Sequence, residues 1–270
     1  MEAKTMDAYD KIKDMQRKGW AHFIPLEVFT TPSAAKLARH AGVKSGQRVL
    51  DVACGTGVVA ITCALQGAKV TGLDLTPELI EHARENAAIA GVDVEWHVGD
   101  VEELPFEKGA FDVVMSQFGH IFAPRPEVAI GEMLRVLKPG GTLAFASWPP
   151  ELLLGRVFQM TARYLPPPPI EIPPPAIWGD VNVIQQRLGS AVRDIRFDRG
   201  TMWVPSLSLQ HNRVHMEKTA GPVIRMVEVL SASDPAKLEE FRREYEALLS
   251  EYRTENLIRQ DYLLTRAVKA

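Results

Sequence analysis

Apolar and polar positions follow two different spacings between residues 49 and 147. Short apolar runs, such as Val49-Leu50 with Val52, have the density expected of buried strands. Segments such as 58–65 instead carry their apolar residues at helical spacing. Because the two patterns alternate along the chain, they predict an α/β fold in which a parallel sheet has helices on both faces.

The flanking regions have a different character. Residues 1–40 have helical apolar spacing, which Pro25 and Pro32 are expected to interrupt. Residues 166–175 contain seven prolines, which predicts a stiff, extended connector. Further along, the pattern predicts a helix at 181–188, a strand at 195–203, helices around 211–230 and 235–252, and a last strand at 262–268.

A glycine turn follows the first strand directly, in the segment Asp51-Val52-Ala53-Cys54-Gly55-Thr56-Gly57. Gly55 and Gly57 allow a sharp bend and a close approach of the backbone to a ligand. The helix that begins at Val58 points its N-terminus at the same place. Strand, turn and helix together predict a pocket for a nucleotide-like ligand.

Two ligands compete for this pocket. The residues from Gly55 to Ala60 also fit the dinucleotide pattern G-x-G-x-x-G/A, and Asp74 ends a second strand where it can bind ribose hydroxyls. A dinucleotide would bring its pyrophosphate to the helix N-terminus, where the Asp51 carboxylate would repel it. S-adenosylmethionine has a sulfonium and an ammonium group instead. Asp51 therefore favours S-adenosylmethionine.

The segment 51–57 resembles motif I of the class I S-adenosylmethionine-dependent methyltransferases, closest to their ubiquinone/menaquinone-type branch. Asp74, the segment Gly99-Asp100-Val101, strand 111–116 and turn 137–143 follow in that family's order. The resemblance implies S-adenosylmethionine as cofactor and S-adenosylhomocysteine as product, with Asp74 on the ribose and Asp100 on the adenine amino group. The cofactor residues that it implies are Asp51, Ala53, Cys54, Gly55, Thr56, Gly57, Asp74, Leu75, Gly99, Asp100, Val101, Ser116, Gln117 and Phe118.

The same resemblance implies a Rossmann-like, doubly wound sheet of seven strands, the last of them antiparallel. On that map residues 41–203 and 259–270 form the core. Residues 1–40 form an N-terminal helical segment that closes over the cofactor, and residues 204–258 are a helical cap insertion, too long for an ordinary connection.

Methyl transfer from a sulfonium needs mainly alignment and exclusion of water, because the leaving group is already good. A general base is needed only where the nucleophile must lose a proton. The acceptor is expected beyond the fourth strand, at residues 116–122. There His120 is the candidate catalytic base, since its ordinary pKa lies near working pH. The alternative roles for His120 are a pocket wall or a group that orients the methionine end of the cofactor.

Four aromatic residues near or within the cap are candidates for the roof of an apolar acceptor pocket. Packing within the cap itself would explain them equally well. They are Phe158, Tyr164, Trp178 and Trp203.

Net charge, apolar content and cysteine positions limit the binding partners and the cellular compartment that the sequence predicts. The net charge is −3 and there is no long run of Lys or Arg, which speaks against nucleic acid. No apolar stretch is long enough for stable membrane insertion, and the N-terminus lacks the apolar centre of a signal peptide. Cys54 and Cys63 fall in one strand–helix unit, as expected of a cytoplasmic protein. His211 and His215 lack further partners at ligand spacing, so no metal is expected.

The turn after the fourth strand narrows the acceptor. It reads Ser116-Gln117-Phe118-Gly119, whereas DNA amino-methylases have Asp/Asn-Pro-Pro-aromatic there. The sequence therefore predicts a small-molecule methyltransferase (EC 2.1.1.-), while the methylated atom and the oligomeric state stay open. The alternatives are a nicotinamide-dependent oxidoreductase and a non-catalytic cofactor-binding protein.

Overall fold

The computed structural model describes residues 7–167 and 170–270, so two of the seven prolines at 166–175 lie outside the described residues. Within the described part, one mixed sheet has the strand order β3-β2-β1-β4-β5-β8-β6, and the short β7 pairs with β8 outside this path. The strands are β1 Arg48–Val52, β2 Lys69–Asp74, β3 Val94–Val98, β4 Phe111–Gln117, β5 Leu137–Ser147, β6 Val192–Pro205, β7 Arg253–Thr254 and β8 Leu257–Lys269.

The first five strands are parallel to their neighbours, and β8 runs antiparallel to both β5 and β6. The strand order reverses between β1 and β4, which brings the carboxyl ends of β1, β2 and β4 to one edge of the sheet. This arrangement confirms the predicted Rossmann-like, doubly wound sheet of seven strands with an antiparallel last strand. The two-residue β7 is an addition that the sequence pattern did not predict.

Helices pack against the sheet on both of its faces. Short 3-10 turns at Ile24–Leu26, His120–Phe122, Pro175–Gly179 and Gly189–Ala191 connect some of them. The helices are α1 Ala8–Trp20, α2 Glu27–Ala41, α3 Val58–Leu65, α4 Pro77–Ala90, α5 Pro126–Val136, α6 Leu153–Tyr164, α7 Val181–Leu188, α8 Leu209–Thr219, α9 Gly221–Ser233 and α10 Pro235–Ser250.

Two expectations about helix ends were wrong. Pro32 lies inside α2 instead of interrupting it. Its ring removes one backbone donor, and the Thr30 and Thr31 hydroxyls donate to the Glu27 carbonyl nearby. The segment around 211–230 is two helices, α8 and α9, because Pro222 begins a new helix in its first turn.

In the sequence, the helices α8, α9 and α10 come between β6 and β8. They have an apolar core of their own. That core joins them to α6 through Val157, Met160 and Tyr164. The helix α1 packs against α9, and their backbones meet where Gly19 faces Gly221. A Cβ added to Gly221 would lie 3.0 Å from the Gly19 carbonyl carbon, so the two backbones are in direct contact.

Candidate active site

The glycine turn between β1 and α3 has the backbone that its sequence predicts. Gly55 and Gly57 have φ values of 55° and 85°, and Ala53 shares the left-handed region at 51°. A Cβ on Gly57 would lie 2.6 Å from the Trp96 ring. Glycine is therefore required at 57 both for its φ and for the close packing against β3.

Asp74 holds this turn in place. Its Oδ2 accepts a hydrogen bond from the Gly55 N–H at 2.8 Å, and its Oδ1 accepts one from the Thr76 N–H at 2.8 Å. Burial raises the pKa of the Asp74 carboxyl, although these backbone donors act against the rise. The carboxylate thus joins the end of β2 to the turn and to the start of α4.

Asp51 is 1% exposed at the end of β1. Its Oδ2 accepts a hydrogen bond from the Ala60 N–H at 3.0 Å. Its Oδ1 has no partner among the described residues, and the same holds for Thr56 Oγ1 and Gln117 Oε1. Burial raises the pKa of Asp51 well above its usual value, and the nearby Asp74 adds to the rise.

These three residues line one cavity of about 250 Å³ at the carboxyl ends of the strands. Buried oxygens without partners are costly unless a ligand satisfies them. An ammonium group or hydroxyl groups would supply the missing donors, so the residues fit the amino-acid and ribose ends of S-adenosylmethionine.

Most of the predicted cofactor residues come together around this cavity. Gly57 and Ser116 do not line it: Gly57 caps α3, and the buried Ser116 hydroxyl accepts a hydrogen bond from the His120 N–H at 3.2 Å. The predicted residues that line the cavity are Asp51, Ala53, Cys54, Gly55, Thr56, Asp74, Leu75, Gly99, Asp100, Val101, Gln117 and Phe118.

The helix α1 contributes Lys13 to the lining of the cavity. The sequence pattern did not identify this residue. Its Nζ lies 2.5 Å from both Asp100 Oδ2 and Glu102 Oε2. Burial lowers the pKa of Lys13, but the two carboxylates outweigh it and the pKa rises overall. The predicted adenine-binding acid is thus paired with a cation from the N-terminal segment.

His120 does not face the cavity. Its ring is completely buried between Phe145 and Trp178, at centroid distances of 4.7 Å to each. Both ring nitrogens lack a hydrogen-bond partner among the described residues. Burial, with the charge of Arg187, lowers the pKa of His120 to about 3. A ring that does not line the cavity, and whose pKa is too low for it to take up a proton near pH 7, does not agree with the predicted role as a base for a bound acceptor.

The cap does contribute to the cavity, but through residues other than the two tryptophans. Trp178 is 1% exposed and packs on His120 and Arg187, whereas Trp203 is 49% exposed to solvent. Of the four candidate aromatic residues, Phe158 lines the cavity, whereas Tyr164, Trp178 and Trp203 do not. The cap helices α8, α9 and α10 supply Met216, Ala220, Pro222, Val223 and Tyr245 instead.

Phe118 and Trp148 form a stacked pair on the cavity wall, with centroids 3.9 Å apart and planes inclined by 11°. Phe118 has φ 63°, an unusual value for a bulky residue. Strain of this kind persists only where the surroundings impose it, and it is concentrated at functional sites. The sequence indicated Phe118 by its place after β4 but gave no signal for Trp148.

Neither metal binding nor membrane crossing has support in the described residues. They contain no group of three or more His, Cys, Asp or Glu side chains placed to hold a metal ion. Burial raises the pKa of the Cys63 thiol to about 12 and that of Cys54 well above its usual value. None of the described helices is both long and apolar enough to span a bilayer.

An acid-flanked glycine turn at the switch point of a parallel sheet defines a Rossmann-like ligand-binding protein. Comparison with known proteins narrows this class. A family model described as "Methyltransferase domain" matches residues 49–141. The chain is 35% identical over 144 residues to the ubiquinone biosynthesis O-methyltransferase of Chromobacterium violaceum, covering 51% of this chain and 61% of that protein.

Two matches extend over nearly the whole chain. An uncharacterized protein of Mycobacterium tuberculosis is 34% identical over 244 residues, which is 90% of this chain and 89% of the relative. The crystal structure of a putative methyltransferase from Bacillus halodurans superposes with a TM-score of 0.59 and 23% identity, over 87% of this chain and 98% of that one. The chain belongs to the class I S-adenosylmethionine-dependent methyltransferases.

Proposed function

We propose that this chain transfers the methyl group of S-adenosylmethionine to a small organic acceptor enclosed in the cavity. The observation that carries the proposal is the set of three unpartnered, buried oxygens on Asp51, Thr56 and Gln117. They line the same cavity as Asp74 and Asp100, which are the residues proposed for the ribose and the adenine.

The proposed roles follow from these positions. Asp51 Oδ1 accepts from the ammonium group of the cofactor, and Asp74 accepts from the ribose hydroxyls with its remaining lone pairs. Asp100 receives the adenine amino group. Gly55 and Gly99 line the cavity, and a Cβ at Gly99 would lie 2.9 Å from the Leu73 side chain, so that position has little room for a larger residue.

In the transfer itself the bond between the methyl carbon and sulfur breaks as the acceptor forms its bond to that carbon. The electron pair stays on sulfur and leaves S-adenosylhomocysteine as a neutral thioether. Alignment and exclusion of water by α1 and the cap supply the catalysis. His120 does not line the cavity, so the proposal gives it no part in this step, and a proton that the methylated product carries is released to solvent when the product leaves.

Calorimetric titration of the purified chain tests the proposal. S-adenosylmethionine and S-adenosylhomocysteine should bind, and NAD should bind at least a hundredfold more weakly, because its pyrophosphate would meet the buried Asp51 carboxyl. Tighter binding of NAD would contradict the proposal and favour an oxidoreductase. Labelled cofactor that binds but never transfers its methyl group to any of a broad acceptor panel would favour a non-catalytic role.

A further inference from the structure

The part of the cavity that α2, α6, β6 and the cap helices line is called the acceptor half, and it contains few ionisable residues. The ionisable residues that line the whole cavity within the described chain are Lys13, Asp51, Cys54, Asp74, Asp100 and Tyr245. All but Tyr245 belong to the cofactor half. Asp51, Cys54, Asp74 and Asp100 lie at the glycine turn or at the carboxyl ends of β2 and β3, and Lys13 forms an ion pair with Asp100. Tyr245 donates its hydroxyl to Asn212 at 3.3 Å, and burial raises its pKa.

Two hydroxyl groups in this half are committed to the protein itself, and the Gln260 side chain that also lines the cavity is a neutral amide. The Thr161 hydroxyl donates to the Val157 carbonyl at 2.8 Å, and the Thr30 hydroxyl donates to the Glu27 carbonyl at 3.0 Å. The other walls are apolar and come from α6, β6 and the cap. They include Leu154, Val157, Val204, Met216 and Val223.

From this inventory, and resting on the proposed function, we infer that the acceptor is an uncharged and predominantly apolar molecule. A carboxylate, phosphate or ammonium group would lose its hydration on entering and would find no counter-ion in the acceptor half. Burying an unpaired charge is among the most costly events in a protein interior. An apolar body gains from the same walls, because burial removes its surface from water.

A set of three naphthalene derivatives with one shared ring system tests this inference. They are 2-naphthamide, which is neutral, 2-naphthoate, which is an anion, and 2-(aminomethyl)naphthalene, which is a cation at pH 7. Each is titrated into the full chain saturated with S-adenosylhomocysteine. The amide should bind at least tenfold more tightly than either ion. Equal or tighter binding of an ion, or no binding of the amide, would overturn the inference.

Binding of S-adenosylhomocysteine is measured first, so that the two proposals fail separately. A chain that does not bind it contradicts the proposed function. A chain that binds it and then prefers a charged naphthalene contradicts only the acceptor class.

The substitution Met216→Lys places a cation on the acceptor wall, and Met15→Lys makes the same change at a residue on α1 that is 48% exposed and outside the cavity lining. The first variant should shift the ratio of naphthoate to naphthamide affinity by at least tenfold toward the anion and leave the affinity for S-adenosylhomocysteine unchanged. The second should keep the original ratio. The same ratio in both folded variants would place the binding site away from Met216. If Met216→Lys does not fold, the three ligands on the unaltered chain still decide.

Discussion

The Nζ of Lys13 lies 2.5 Å from the Oδ2 of Asp100, across 87 residues of sequence. This ion pair attaches α1 to the loop after β3. Asp100 Oδ1 accepts a hydrogen bond from the Glu102 N–H at 2.8 Å, so both carboxylate oxygens have a protein partner. Asp100 therefore contributes to closing the cavity as well as to the proposed recognition of adenine.

Replacing Lys13 by Met should release α1. The apolar part of the side chain is kept, but Asp100 loses its cation, at an expected cost of about 1–3 kcal/mol in unfolding free energy. Amides of residues 8–20 should then exchange hydrogen faster in the ligand-free protein. Lys18→Met is the matched control, because Lys18 is 72% exposed and pairs with Asp14 on the same helix. Equal exchange rates in the two variants would show that the ion pair does not hold the helix.

Asp74→Asn should weaken S-adenosylhomocysteine binding at least tenfold. A charge-assisted hydrogen bond contributes about 1.5–3 kcal/mol, and the amide has one acceptor oxygen where the carboxylate has two. It cannot accept from both Gly55 and Thr76, so the melting temperature should also fall. Calorimetry and thermal unfolding measure the two effects. The exposed Asp93→Asn should change neither. A folded Asp74 variant with full affinity would mean that the ribose binds elsewhere.

Asp51→Asn should stabilise the ligand-free protein at neutral pH while abolishing cofactor binding. Folding raises the pKa of Asp51 above its ordinary 3.8, so the native state holds this proton more firmly than the unfolded chain. That advantage is complete below the unfolded pKa and is lost as pH rises through the folded one. The stability gained by the variant should therefore grow from about pH 4 toward pH 7.

Urea unfolding across this pH range checks the sign, and Asp112→Asn is the opposing control. Burial acts to raise the pKa of Asp112, but Lys138 and the Arg48 N–H outweigh it and lower the pKa overall. Its replacement should cost stability at neutral pH. A gain for Asp51→Asn that does not change with pH would show that folding leaves the pKa of Asp51 unchanged.

His120→Leu should remove an acid sensitivity of the fold. The pKa of His120 falls from 6.5 to about 3 on folding, so stability that is complete above pH 6.5 is lost as pH falls toward 3. The variant should lack this loss and keep its affinity for S-adenosylhomocysteine. Imidazole resonances in the nuclear magnetic resonance spectrum should show a neutral ring at pH 5. A ring that titrates near pH 6.5 would restore the catalytic interpretation.

Local chemistry explains which parts of the site could be predicted. The turn from Asp51 to Gly57 is defined by residues adjacent in sequence, and its backbone needs glycine whatever surrounds it. Asp74 could be placed because the carboxyl ends of neighbouring parallel strands meet at one edge. The seven-stranded sheet with its antiparallel last strand was predicted from the family resemblance and not from local chemistry.

The other features of the site depend on tertiary contacts that no local sequence pattern encodes. The position of His120 after β4 was clear, but the 3-10 turn at His120–Phe122 directs its ring away from the cavity. Lys13 and Met216 carry no motif, and only the packing of α1 and the cap brings them to the cavity. Trp178 and Trp203 were misplaced because size and apolarity do not determine which side of a helix or strand faces a ligand.

The backbone contact between Gly19 and Gly221 has a kinetic consequence. It joins α1, which supplies Lys13 to the cavity, to α9, which supplies Val223, so neither helix can lift without disturbing the other. We expect a single gate, through which donor and acceptor are exchanged during the same opening. Mass spectrometry of hydrogen exchange should then show residues 8–20 and 221–233 opening in one correlated step, whereas two independent steps would indicate separate entrances. A shared gate would release a partly methylated product at every turnover and so disfavour repeated methylation of one bound molecule.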